Sequence, residues 1–147
     1  MNGTMIAMAP PVSAKELLAS FHRAATVQRR SFAGEDLISA RLPRLRLTRC
    51  SFRGADLRHA TLDGCHFKMC DFHGADIRGA SLRGATFAGC DLTAADLRDT
   101  DLTGARLGLV LTGAPPHGLT DATGVRLDHA VVRDLRLDQV IGWPAAD

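Results

Sequence analysis

The sequence predicts an all-β solenoid, a chain wound into stacked coils, and two regularities predict it. A bulky apolar residue stands at every fifth position from Phe32 through Leu37, Leu42, Leu47 and Phe52 to Leu107, sixteen positions with no polar exception. That period belongs neither to a helix at about 3.6 residues per turn nor to a plain strand at about 2. Two residues before each of these centres, from Ala40 onward, the chain places a nearly always small residue. A polar residue separates the two, and two residues after the centre Gly recurs at 34, 54, 64, 74, 79, 84, 89 and 104.

Each five-residue unit therefore reads as a short extended segment followed by a turn. Alternation along the segment sends both apolar residues to one side, and Gly relieves the steric cost of a positive φ at the corner. The same turn after every segment closes the path into a coil, and stacked coils pair their backbones at about 4.8 Å.

The stretches "GADLRHATLDG", "GADIRGASLRG" and "AADLRDTDLTG" resemble tandem copies of the A(D/N)LxG unit of the pentapeptide-repeat family. The resemblance covers residues 31–107 and resumes at 125–140. It implies a right-handed quadrilateral β-helix of about four to five coils, with four units per coil. Residues twenty apart then stack. Phe32, Phe52, Phe72 and Leu92 fall in one inward column and Cys50, Cys70 and Cys90 in another; Asp36, Asp56, Asp76 and Asp96 form an outward ladder flanked by Ile38, Arg58, Arg78 and Arg98. Stacked carboxylates repel, so the arginines are expected to screen them.

A β-helix needs covers at both ends. Residues 1–12 are expected to be disordered. Over 13–30, Ser13 and Glu16 have the spacing of a capping box, and Leu17, Leu18, Phe21, Ala24 and Ala25 follow at helical spacing. This predicts a helix lying over the first coil; a partner-binding helix is the alternative. The β-helix is expected over 31–140 with a loop at 108–124, where Pro115 and Pro116 remove two ladder donors. Because the pattern resumes in the same phase modulo five, the loop is expected to replace part of one coil at unchanged length. The tail at 141–147 closes the far end with Trp143 as its plug, or offers Trp143 as a partner anchor.

Little in the chain suggests catalysis. Cys65, His66, Cys70 and His73 suggest zinc, but in this repeat the cysteines face inward and the histidines outward, so the four cannot converge. Cys50, Cys70 and Cys90 run parallel in their column, which disfavours a disulfide, and no basic and apolar leader precedes them. Six scattered histidines on a convex rod assemble no nucleophilic triad, and the glycines introduce no phosphate-binding helix. The chain is therefore read as a non-enzyme, with no cofactor, metal or small-molecule substrate. No apolar run approaches the roughly 18 to 20 residues that cross a bilayer, so a cytoplasmic bacterial protein is expected.

What remains is a rod with polar outer faces, suited to binding another protein of unknown identity; homodimerisation stays open. The residues placed to do so are the Asp36, Asp56, Asp76 and Asp96 ladder, Arg58, Arg78 and Arg98 beside it, Arg44, Arg46 and Arg49 on an early basic stretch, and Trp143. The resemblance implies an alternative, a DNA mimic that protects DNA gyrase or topoisomerase in the manner of quinolone resistance. Mimicry needs a strongly negative surface. Residues 31–107 carry ten acidic and eleven basic side chains, which disfavours gyrase as the partner. The chain's net charge of +2 likewise announces no nucleic-acid binder, although 16 of its 18 basic residues are arginine.

Overall fold

The computed structural model describes residues 13–111 and 118–144. Extended residues alternate with turns every five residues, and the corner recurs at each fourth position of the unit, where φ is positive from Ala24 to Gly104 and again from Gly124 to Gln139. Twelve of those corners are not glycine. The left-handed conformation is thus imposed by the coil and eased by Gly where it occurs.

Helix α1 (Ala14–Ser20) precedes strands β1 (Thr26–Gln28), β2 (Arg46–Thr48), β3 (His66–Lys68), β4 (Thr86–Ala88) and β5 (Arg106–Val110). The strands pair in parallel with residues twenty apart facing one another, Val27 on Leu47, Leu47 on Phe67, Phe67 on Phe87 and Phe87 on Leu107. The other three sides of the coil stack through single bridges at the same interval, such as Ser51 on Asp71, Asp56 on Asp76 and Thr61 on Ser81. The result is the right-handed quadrilateral β-helix expected.

The inward positions form one continuous apolar core. Every centre from Val27 to Leu107 is buried, as are the small partners from Ala40 to Ala105. Phe52 stacks on Phe72 with ring centroids 4.9 Å apart, and Phe67 on Phe87 at 5.0 Å; the two columns meet edge to face where Phe67 approaches Phe72 at 5.0 Å. Such pairs add to simple area burial.

Three boundaries differ from the sequence reading. Helix α1 stops at Ser20, not at 30, because Ala24 already occupies a corner at φ 65° and Val27 is a buried strand centre. The Ser13 hydroxyl accepts the Glu16 N–H at 3.1 Å, Leu18 is fully buried, and Leu17 and Phe21 pack against the core. The interruption, secondly, does not keep the coil length. After Leu107 the stacking interval becomes thirty: Asp91 faces Asp121, and Arg106 of β5 faces Arg136 of β7 (Arg136–Leu137). Ten extra residues leave the coil as an antiparallel hairpin, β5 against β6 (Gly118–Leu119), with Leu109 opposite Leu119. A ten-residue insertion preserves phase modulo five, so the period alone could not separate insertion from replacement. Thirdly, the chain is back in the coil at Thr120 and Ala122, both buried, before the expected end of the loop at 124. The expected disorder of 1–12, the Pro115–Pro116 turn and residues 145–147 of the tail lie outside the described residues.

Candidate interaction faces

The four faces, taken in chain order, have Leu47, Phe52, Leu57 and Leu62 as centres of one coil. The third carries the predicted charge ladder. Arg58 holds Asp56 with two parallel bonds, Nε to Oδ1 at 2.9 Å and Nη2 to Oδ2 at 2.7 Å. Arg78 holds Asp76 at 2.8 and 2.7 Å, and Arg98 grips Asp96 in the same way. Two of the three guanidiniums also approach the carboxylate one coil up, Arg58 to Asp76 and Arg78 to Asp96, both at 3.8 Å. Hydrogen bonds from these arginines hold the Asp56, Asp76 and Asp96 carboxyls below the usual carboxylate range.

Asp36 lies outside this zipper because residue 38 is Ile; among the described residues its carboxylate accepts only the Ile38 N–H, at 3.1 Å. At the top the order inverts, with Arg126 stacked on Asp96. The face is thus neutralised from within.

Carboxylates that sequence reasoning did not single out form a second ladder. Asp71, Asp91 and Asp121 stack on the second face. Thr93 and Thr123 donate hydroxyls to Asp91 and Asp121, and Arg53 pairs with Asp71 at 3.2 Å. The signal was present as Asp-x-Thr spacing at 91–93, 101–103 and 121–123, the hydroxyl counterpart of Asp-x-Arg at 56–58, 76–78 and 96–98. Two residues apart on either side of an inward centre, an aspartate and its partner both point outward and lie side by side.

The predicted basic stretch is divided by the fold. Arg46 and Arg49 are exposed on the first face and the corner that follows it, whereas Arg44 occupies the corner that closes the fourth face, its Cγ 3.2 Å from where a Gly64 Cβ would stand. Trp143 is half-buried and packs against the core. It does not seal the end: Val132 and Leu137, at centre positions buried in the lower coils, remain 46% and 43% exposed.

The cysteines and histidines do not converge. Cys65 and Cys70 are buried, His66 is exposed, and His73 Nδ1 lies 2.6 Å from the Thr93 hydroxyl. All four cysteines are free thiols. Cys50, Cys70 and Cys90 donate down the column to the carbonyls of Val27, Leu47 and Phe67 at 3.5, 3.3 and 3.2 Å. Burial pushes the Cys65 thiol up to about 11; hydrogen bonding to Cys50 opposes a rise at Cys70, which the Cys90 contact and burial carry to about 12. Cys65 and Cys70 are therefore protonated thiols, poor nucleophiles and poor metal ligands.

The model of the pentapeptide repeats matches this chain in eight copies over residues 32–68 and 70–108, more than half its length. The chain belongs to the pentapeptide-repeat family. This pentapeptide-repeat protein is similar in structure to Rfr23 from the cyanobacterium Cyanothece 51142, with TM-score 0.61 and 19% identity over 82% of this chain and 86% of that one. It is similar also to alr5209 from Nostoc PCC 7120, with TM-score 0.57 and 22% identity over 79% and 99%. A weaker likeness, TM-score 0.49 at 21% identity over 72% and 60%, is to full-length QnrB1, a plasmid-mediated fluoroquinolone resistance protein. No curated protein matches the chain significantly in sequence. Likeness at these identities speaks for the fold alone. Among the described residues, no helix is long and apolar enough to cross a membrane.

Proposed function

We propose that this pentapeptide-repeat protein is a non-enzymatic interaction module of the cytoplasm, a rigid rod that docks to another protein. The observation that carries this reading is the open C-terminal end. Val132 and Leu137, at inward positions of the last turns, are 46% and 43% exposed, Trp143 on the same turns is half-buried, and Val131 and Ile141 are exposed at outward positions of two different faces. An apolar patch in water on a rigid support gains free energy when a partner covers it. Trp143 offers an aromatic anchor of the kind that dominates protein interfaces.

The DNA-mimic reading has weaker support. A groove that attracts phosphates demands a negative surface, and three of the four carboxylates in the longest acidic ladder of this rod, Asp56, Asp76 and Asp96, are paired with Arg58, Arg78 and Arg98.

The test is affinity capture from native cell extract with the intact chain and with Val132→Asp/Leu137→Asp, followed by a gyrase supercoiling assay with and without a quinolone. A protein retained by the intact chain and lost from the variant, with gyrase unaffected, is the expected result. Protection of gyrase, or capture indifferent to the variant, would overturn the reading.

A further inference from the structure

The near-neutral total charge conceals a sorting of charge by face. Most carboxylates on the second, third and fourth faces are met by a neighbouring arginine or hydroxyl, as in Asp71 with Arg53, Asp76 with Arg78 and Asp101 with Arg83 and Thr103. The first face is different. Its outward positions on β1 to β5 and β7, and the corners that follow, carry Arg29, Arg46, Arg49, Lys68, Arg106 and Arg136 against one carboxylate, Asp138. All six cations are exposed, and none makes an ion pair with a described residue. Arg106 and Arg136 are direct ladder neighbours, so like charges stack there without the compensation built into the opposite face.

This face also holds a continuous parallel sheet, where the other three faces stack through single bridges. Five rungs separate β1 from β7, about 24 Å at the usual strand spacing. It carries two shallow depressions, one of about 260 Å³ bordered by Arg46, His66 and Lys68, the other of about 310 Å³ bordered by Arg106 and Arg136. Between the cations stand neutral hydrogen-bonding groups, Thr26, Gln28, Thr48 and Thr86.

We propose that the strand face binds the phosphate backbone of double-stranded nucleic acid without reading its sequence. Arginine, lysine, threonine and glutamine are the side chains that contact phosphates. The outward positions hold no Phe, Tyr or Trp on which unpaired bases could stack, His66 being the one ring among them, and from β1 to β4 no large exposed apolar anchor of the kind a protein partner would bury. A polyanion of closely spaced charges fits such a surface, and release of its counterions drives the association.

The experiment is fluorescence anisotropy of a labelled 20-base-pair DNA duplex titrated with the full chain between 50 and 200 mM KCl, with polyglutamate as a second probe. Four or five phosphate contacts give a log–log salt slope of about −4. Arg46→Glu/Arg49→Glu/Arg106→Glu should abolish measurable duplex binding at 50 mM salt. Glutamine at the same positions, which adds no repulsion, should flatten the slope by about 3. A charge-matched control on the fourth face, Arg41→Glu/Arg44→Glu/Arg133→Glu, should weaken binding only severalfold. The proposal is overturned if the intact chain does not bind the duplex at 50 mM salt, if both triple reversals act equally, or if polyglutamate binds while the duplex does not.

Discussion

Thr120 places its hydroxyl 3.1 Å from the Phe87 carbonyl, thirty-three residues back, where the Cys90 thiol reaches Phe67 across twenty-three, and 2.7 Å from the Gly108 carbonyl, so that its one proton has two acceptors within reach. The same oxygen accepts the buried Cys90 N–H at 3.1 Å. One hydroxyl therefore continues the thiol column across the insertion. Thr120→Val keeps the shape but leaves that N–H unpaired, and should cost about 1 to 3 kcal/mol in urea unfolding. Thr120→Ser should stay within about 1 kcal/mol of the parent; equal losses from both would show that the methyl, not the hydroxyl, matters.

Phe72 is stacked on Phe52 and meets Phe67 and Phe87 edge to face. Phe72→Ala opens a cavity in a core that stacked backbones cannot collapse around, and a loss of about 3 to 5 kcal/mol is expected. Chemical denaturation reads it directly. A loss below about 1 kcal/mol would mean that the coils slide to fill the gap.

Gly84 and Gly89 share φ values of 66° and 64° but not surroundings. A Cβ at Gly84 would meet nothing within 4 Å, whereas one at Gly89 would come within 2.9 Å of the Gly118 carbonyl oxygen at the foot of the hairpin. Gly84→Ala should cost only the backbone term, about 1 to 2 kcal/mol. Gly89→Ala should lower the melting temperature further, and amide exchange at Gly118 and Leu119 should quicken with it. Equal melting temperatures would place the hairpin away from this corner.

The Asp56, Asp76 and Asp96 carboxyls ionise at lower pH in the rod than in the unfolded chain, where an aspartate titrates near about 3.9. Their stabilising contribution is complete above that value and is lost as pH falls through the depressed folded values. Thermal melts should show stability declining below about pH 4. Asp56→Asn/Asp76→Asn/Asp96→Asn should be less stable at neutral pH and should lose less on acidification. An unchanged acid profile in the variant would assign acid sensitivity to other groups.

Excising residues 110–119 and placing Gly at 109, which becomes a corner, restores the twenty-residue interval between Cys90 and Thr120. If the hairpin is an appendage of the coil, this shortened chain should keep its circular dichroism spectrum and melt within a few degrees of the parent. Loss of cooperative melting would instead make the hairpin part of the core.

The period of five was open to reading in the sequence because each unit repeats one local geometry: Phe72 and Ala75 must turn inward wherever a corner follows at Gly74. The Asp-x-Arg pairs were legible for the same reason, since Asp76 and Arg78 are neighbours along the chain. Stacking between coils was not local. Whether Asp91 lies under Leu111, twenty residues on, or under Asp121, thirty residues on, depends on where ten residues leave the coil, and phase modulo five is blind to that choice. The separation of Arg44 from Arg46, and the gathering of Arg49, Lys68 and Arg106 on one side of a chain with net charge +2, likewise arise only when the corners turn successive segments through four directions. A charge sum has no direction, and the folded coil gives it one.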